Sequence, residues 1–157
     1  MRAGLPLVLS ASLALAACGY GFSQRYVARG GASSIRVRPF ENRSTDPELG
    51  AEVAAAMRTE LARRGADAGE GASAHIDGEV RAGEPVITSR AGASWRIGVT
   101  VRARLVAQGV TVAEHVARRE ADYVGGADPL ETEARRALAL RRAAGDAARE
   151  VLLAFEQ

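Results

Sequence analysis

The sequence predicts an α+β domain: a two-layer sandwich of two α-helices on one face of a four-stranded mixed or antiparallel sheet, in the order β-α-β-β-β-α. Three observations predict it. Trp95, Ile97, Val99, Val101, Ala103 and Leu105 alternate with Arg96, Gly98, Thr100, Arg102 and Arg104, the period of a half-buried strand. Asp-Pro occurs at Asp46-Pro47 and Asp128-Pro129, and each time it opens an apolar run at helical spacing. Between the two helical runs the chain reads as strands and loops, so two amphipathic stripes share one sheet face.

The elements follow in order. Ile35-Arg36-Val37-Arg38-Pro39-Phe40 alternates as a first strand, which Pro39 ends or confines to an edge because it has no N–H to donate. Glu41 to Ser44 is loop. The first helix starts at Asp46-Pro47, with Thr45 and Glu48 at capping-box spacing. Leu49, Val53, Met57 and Leu61 line its apolar face, Arg58, Arg63 and Arg64 load its last turns, and Gly65 stops it. Ala74 to Val80 alternates as a second strand. Gly83 to Gly92 reads as loop with a short extended piece, Pro85-Val86-Ile87-Thr88. The Trp95–Leu105 strand turns at Gln108-Gly109 into a fourth strand reaching about Tyr123. There the parity of Val110, Val112 and Val116 conflicts with that of Ala113, Ala117, Ala121 and Tyr123, which a bulge would reconcile. The last helix carries Leu130, Ala134, Ala137, Leu138, Ala144, Ala148, Val151, Leu152 and Phe155 on an alanine-rich face suited to close packing on a sheet.

Ahead of the domain lies an addressing segment. Arg2 precedes the apolar stretch Leu5 to Ala16, which is shorter than the roughly 20 residues of a spanning helix. Leu15-Ala16-Ala17-Cys18 resembles the lipobox of bacterial lipoproteins, in which the thiol is acylated and the chain is cut before it. The expected organisation is a lipoprotein signal peptide at 1–17, a lipidated tether at 18–33 and a single α+β domain at 34–157. Gly19 stands where the resemblance places an Asp for inner-membrane retention, which implies the outer membrane. Tyr20, Phe22 and Tyr26 stud the glycine-rich tether and would pack on the domain or at the membrane interface.

Charge excludes little. The formal net charge is +2, and removal of Arg2 with the signal leaves one positive charge fewer, so nothing asks for nucleic acid. All 21 basic residues are arginine, and the single cysteine is spent on the anchor. Catalysis has no visible carrier. His75 and His115 are isolated in strands, no cluster has metal-ligand spacing, and Gly30-Gly31 and Gly125-Gly126 lack a phosphate-cradling pattern. No enzyme activity, cofactor or metal is therefore expected. Glu131 and Glu133 read as helix-stabilising acids of a first turn. The one constellation to weigh is basic: Arg96, Arg102 and Arg104 on the polar face of the clearest strand, Arg90 just before it, and Arg118 and Arg119 on its neighbour. Such a row can fork onto lipid phosphates, or it can be a solvated face paired with Glu and Asp.

The order of these pieces resembles the LptE family of lipopolysaccharide-assembly lipoproteins. Cys18-Gly19-Tyr20-Gly21-Phe22, Ile35 through Ser44, the Leu49–Gly65 helix, the Trp95–Leu105 strand with its turn, and the C-terminal Ala/Leu helix carry the resemblance. Gly21 replaces the hydrophilic residue common there. The resemblance implies two helices on a four-stranded sheet and no enzymatic activity. It implies a palmitate-type anchor at Cys18 on the periplasmic side of the outer membrane. It further implies a role as plug and assembly partner of the β-barrel that inserts lipopolysaccharide, with that lipid contacted through basic residues, for which Arg90, Arg96, Arg102 and Arg104 are the candidates. Ile35 to Gly65 also looks like the start of other envelope lipoproteins, such as peptidoglycan-synthase activators and curli-type secretion components.

Overall fold

The computed structural model describes residues 25–90 and 93–157. Its elements are β1 (Ile35–Val37), β2 (Glu41–Asn42), α1 (Leu49–Arg63), β3 (Ala74–Ala82), β4 (Val86–Ser89), β5 (Ser94–Ala107), β6 (Val110–Val124) and α2 (Pro129–Phe155). Six strand segments fill four sheet positions. β1 and β2 lie end to end along one edge of β3, both parallel to it. β3 and β4 lie end to end along one edge of β5, antiparallel. β6 covers the other edge of β5 from end to end. The breaks fall at Pro39 and Pro85, which have no N–H for a ladder. The expected four-stranded sheet is therefore four positions built from more segments, because two prolines interrupt its first two.

The long ribbon is set by its turn. Gln108 and Gly109 both have positive φ, 51° and 80°, the two-residue geometry that matches strand twist. The register shifts between Leu105 and Val106, so Val112 is the extra residue of a bulge and the two parities of β6 are reconciled. From Ala113 onward the odd residues of β6 face the helices and the even ones face away.

The core lies between this sheet and the helices. Leu49, Val53, Met57 and Leu61 of α1 and Ile97, Val99, Val101, Ala103 and Leu105 of β5 are all fully buried. α2 buries Ala139, Leu140, Ala143, Ala144, Ala147, Ala148, Val151, Leu152 and Phe155. Its stripe is rotated from the sequence reading: Leu130 and Leu138 are exposed by 84% and 54%. The alanines set this face, since they let the helix axis approach the sheet where leucines would hold it off. Gly78 allows a second close approach. A Cβ there would sit 2.0 Å from the Arg102 carbonyl oxygen and 2.9 Å from the Phe40 ring.

Helix starts differ. Asp128 caps α2, its carboxylate accepting from the Glu131 N–H at 2.8 Å with Pro129 in the first turn. α1 begins later than Asp46-Pro47, at Leu49, without a side-chain cap. Asp46 accepts from the Glu48 N–H in a preceding turn, and Asn42 Nδ2 holds the Asp46 carbonyl at 2.6 Å. The Thr45–Glu48 capping box is not formed, because Asn42 and Ser44 organise that corner instead.

The chain before β1 is a strap. Tyr26, Ala28 and Ala32 are buried. The Tyr26 hydroxyl donates to the Leu152 carbonyl at 2.8 Å, and the Arg64 guanidinium lies 4.8 Å from the Tyr26 ring centre while also pairing with Glu156. Main-chain bonds run from Arg29 to Phe155 and from Gln157 to Val27. Of the interspersed aromatics, Tyr26 packs on the domain; Tyr20 and Phe22 lie outside the described residues, as does Cys18.

Candidate functional site: the open face of the sheet

Alternation dictates the site. A strand that buries one parity must present the other, and the helices cover only one side. The far side therefore displays Arg36 and Arg38 from β1 and the residues after it, His75, Asp77, Glu79 and Arg81 from β3, Arg96, Arg102 and Arg104 from β5, and Glu114, Val116, Arg118, Glu120 and Asp122 from β6.

Register turns those residues into ion pairs. Asp77 lies opposite Arg104 and accepts from its guanidinium at 2.8 and 3.0 Å, with Arg38 at 4.0 Å and His75 Nε2 at 3.6 Å from the same carboxylate. Glu114 accepts from Arg102 at 2.9 Å across a diagonal. Asp122 accepts from Arg96 at 2.7 and 3.2 Å. That bidentate pair holds the Asp122 carboxyl below the usual carboxylate range and raises the Arg96 guanidinium, by hydrogen bonding first and charge second. Glu79 reaches both Arg43 and Arg81.

Three of the four candidate arginines thus share one face. Arg90 does not join them; it is exposed beyond the end of β4. Arg118 and Arg119 separate, as neighbours on a strand must. Arg118 takes the open face, and Arg119 turns to the helix side, where it pairs with Glu150 at 2.8 Å next to His115 at 3.3 Å. Sequence reasoning missed the acids, Asp77, Glu114 and Asp122, because pairing depends on register. It also missed the hollows they frame. A recess of about 330 Å³ is lined by Pro39, Glu41, Asp77, Gly78, Glu79, Arg102, Arg104 and Glu114. A second one of about 440 Å³ is lined by Glu79, Arg81, Thr100, Arg102, Val116 and Arg118.

The chemistry this face can do is recognition. Its arginines are forked donors on fixed strands, suited to phosphate or carboxylate. Exposed ion pairs contribute little stability, on the order of 0–1 kcal/mol each, so an arginine can exchange a carboxylate for another anion at small cost. Among the described residues, no group of three or more His, Cys, Asp or Glu could hold a metal ion. No helix among them is long and apolar enough to cross a membrane.

The family model for lipopolysaccharide assembly, LptE, matches residues 32–155. No curated protein matches the chain significantly. Among solved structures, a candidate lipoprotein from Caulobacter crescentus CB15 is similar, with a TM-score of 0.57, 19% identity, and coverage of 73% of this chain and 85% of that one. Rare lipoprotein B from Shewanella oneidensis has a TM-score of 0.51 at 13% identity over 73% of this chain and 90% of its own. The PelC dodecamer from Paraburkholderia phytofirmans has a TM-score of 0.52 at 17% identity over 85% and 95%. At these identities the structures share the fold, and the family model carries the assignment.

Proposed function

We infer, from the chain's membership of the LptE lipopolysaccharide-assembly family, that it is the lipid-anchored plug and assembly partner of the β-barrel that places lipopolysaccharide in the outer membrane. The observation that carries this reading is the family match itself, which takes in every strand and both helices. Assembly lipoproteins of this family are not enzymes, and the open face offers binding rather than bond-making chemistry.

Three features support the finer roles. Cys18 in its lipobox would carry acyl chains, each buried methylene adding about 0.8 kcal/mol of membrane affinity. With Tyr26 seated on the domain, the connection from Cys18 to Arg25 is short, about 25 Å at full stretch, so the domain would stay near the bilayer. Arg96, Arg102 and Arg104 would meet lipopolysaccharide phosphates by trading away Asp122, Glu114 and Asp77, with Arg90 as an outlying contact.

Affinity purification of the tagged full chain from envelopes tests the partner. A large β-barrel protein recovered in stoichiometric amount is expected, with lipopolysaccharide lost from the surface on depletion. A peptidoglycan synthase or a curli-type secretion component as the stoichiometric partner would overturn the reading. The anchor is tested separately. Cys18→Ala should leave a folded domain that no longer fractionates with membranes, and the native chain should show an acylated N-terminal cysteine by intact mass; an unmodified thiol would remove the anchor.

A further inference from the structure

Among the described residues, no strand lies beside the outer edge of β6, which is a row of backbone groups. The Gly125 N–H donates to the Ala93 carbonyl, so the odd residues of β6 beyond the bulge turn toward β5 and the even ones turn outward. At the far end the outward groups are covered: α2 reaches over with Arg142 to the Asp122 carbonyl and with Arg135 to the Val124 carbonyl and, just past the strand, that of Gly125. From Glu114 to Glu120 no such cover exists among the described residues. Natural sheets rarely leave a long edge open, because it templates pairing with another strand.

The open stretch is self-complementary. Its even residues read Glu114, Val116, Arg118, Glu120. We propose that this edge pairs antiparallel with the same edge of a second copy, about a two-fold axis at Val116. In that register Glu114 faces the second copy's Arg118, twice by symmetry, and Val116, 48% exposed in one chain, meets itself. Sliding the pair to centre on Arg118 sets arginine against arginine, and centring between Val116 and Arg118 sets Glu114 against Glu120, so among the registers that pair three or more of these four residues charge selects one. On the helix side His115 meets the second copy's Ala117 without a like-charge contact. Pairing Glu114 through Arg118 exchanges about six main-chain hydrogen bonds. It buries less than the roughly 1,200–2,000 Å² of a stable interface, so the association is weak in dilute solution and strengthens when both copies share a membrane surface. The proposal goes beyond the plug reading and does not depend on it.

The experiment uses the full chain with Cys18→Ala and Val116→Cys, which leaves one thiol. At the axis of an antiparallel hydrogen-bonded pair the Cα atoms stand about 5.5 Å apart, inside the roughly 4.4–6.8 Å that a disulfide spans. Under mild oxidation a covalent dimer should form at least tenfold faster than from the matching Val124→Cys chain, whose thiol lies off the axis. Adding Arg118→Glu or Glu114→Arg should each slow dimerisation about tenfold, and the two together should restore it, with circular dichroism confirming the fold throughout. Equal rates at positions 116 and 124, or indifference to the charge reversals, would overturn the proposal. So would a Val116→Cys chain with native Cys18 that crosslinks in cells to a different polypeptide.

Discussion

The two faces of this sheet are made by the same strands with the same alternation, yet they are built on opposite rules. The core of the covered face is aliphatic and aromatic side chains under an alanine-rich helix, and no polar or charged residue among the described residues is buried. The open face is almost all ions, and the arginines that define it are matched by carboxylates from adjoining strands. Burial fixes the first face one residue at a time, whereas the second face is a set of exchangeable partnerships. Stability lives on the covered side, and the proposed recognition on the open one.

The largest way to break the covered side is at the end of α2. Phe155→Ala removes a fully buried ring and should lower unfolding free energy by about 3–5 kcal/mol, read as a fall in denaturant midpoint. Gly78→Ala attacks the seam between the faces. Its Cβ would meet backbone at 2.0 Å, and overpacking of this kind costs about 1–3 kcal/mol, sometimes more; an unchanged midpoint would show the sheet yields there.

Tyr26→Phe is gentler, removing one buried hydrogen bond for about 1 kcal/mol. It also changes pH dependence. Burial, and next the Glu156 carboxylate, push the Tyr26 phenol up, with Arg64 partly opposing. A raised folded value means the native state keeps a proton that the unfolded chain releases above about pH 10. Stability should therefore hold below that point and fall as pH rises beyond it. The phenylalanine variant should show a shallower alkaline fall; identical profiles would mean the phenol does not couple to folding.

The smallest stability effect belongs to the open face. Arg102→Gln should shift unfolding by less than about 0.5 kcal/mol while weakening binding of purified lipopolysaccharide several-fold. A large stability loss, or unchanged binding, would blur the division between the two faces.

The legible parts of the molecule were those fixed by local pattern. The alternation of Trp95 to Leu105 placed β5, the four-residue rhythm of Leu49 to Leu61 placed the buried face of α1, and Asp128-Pro129 placed the start of α2. What stayed hidden depended on distant residues. Leu130 and Leu138 sit at helical spacing but outside the stripe, because the alanines beside them decide which side nears the sheet. Asp46-Pro47 carries the same letters as Asp128-Pro129, yet Asn42 takes hold of the Asp46 carbonyl and moves the helix start downstream. Tyr26 stands alone in a glycine-rich segment and shows no periodicity; its place comes from Leu152 and Arg64. The arginine row could be read, but its carboxylates required a register that a bulge in β6 displaces.

The strap has a consequence in time. Tyr26 docks on a carbonyl 126 residues downstream, so its seat does not exist until α2 has been made. Until α2 arrives, the segment around Tyr26 has nothing to dock on. Fastening the start of the fold therefore depends on its last helix: Tyr26 is seated only in a molecule made through to Leu152.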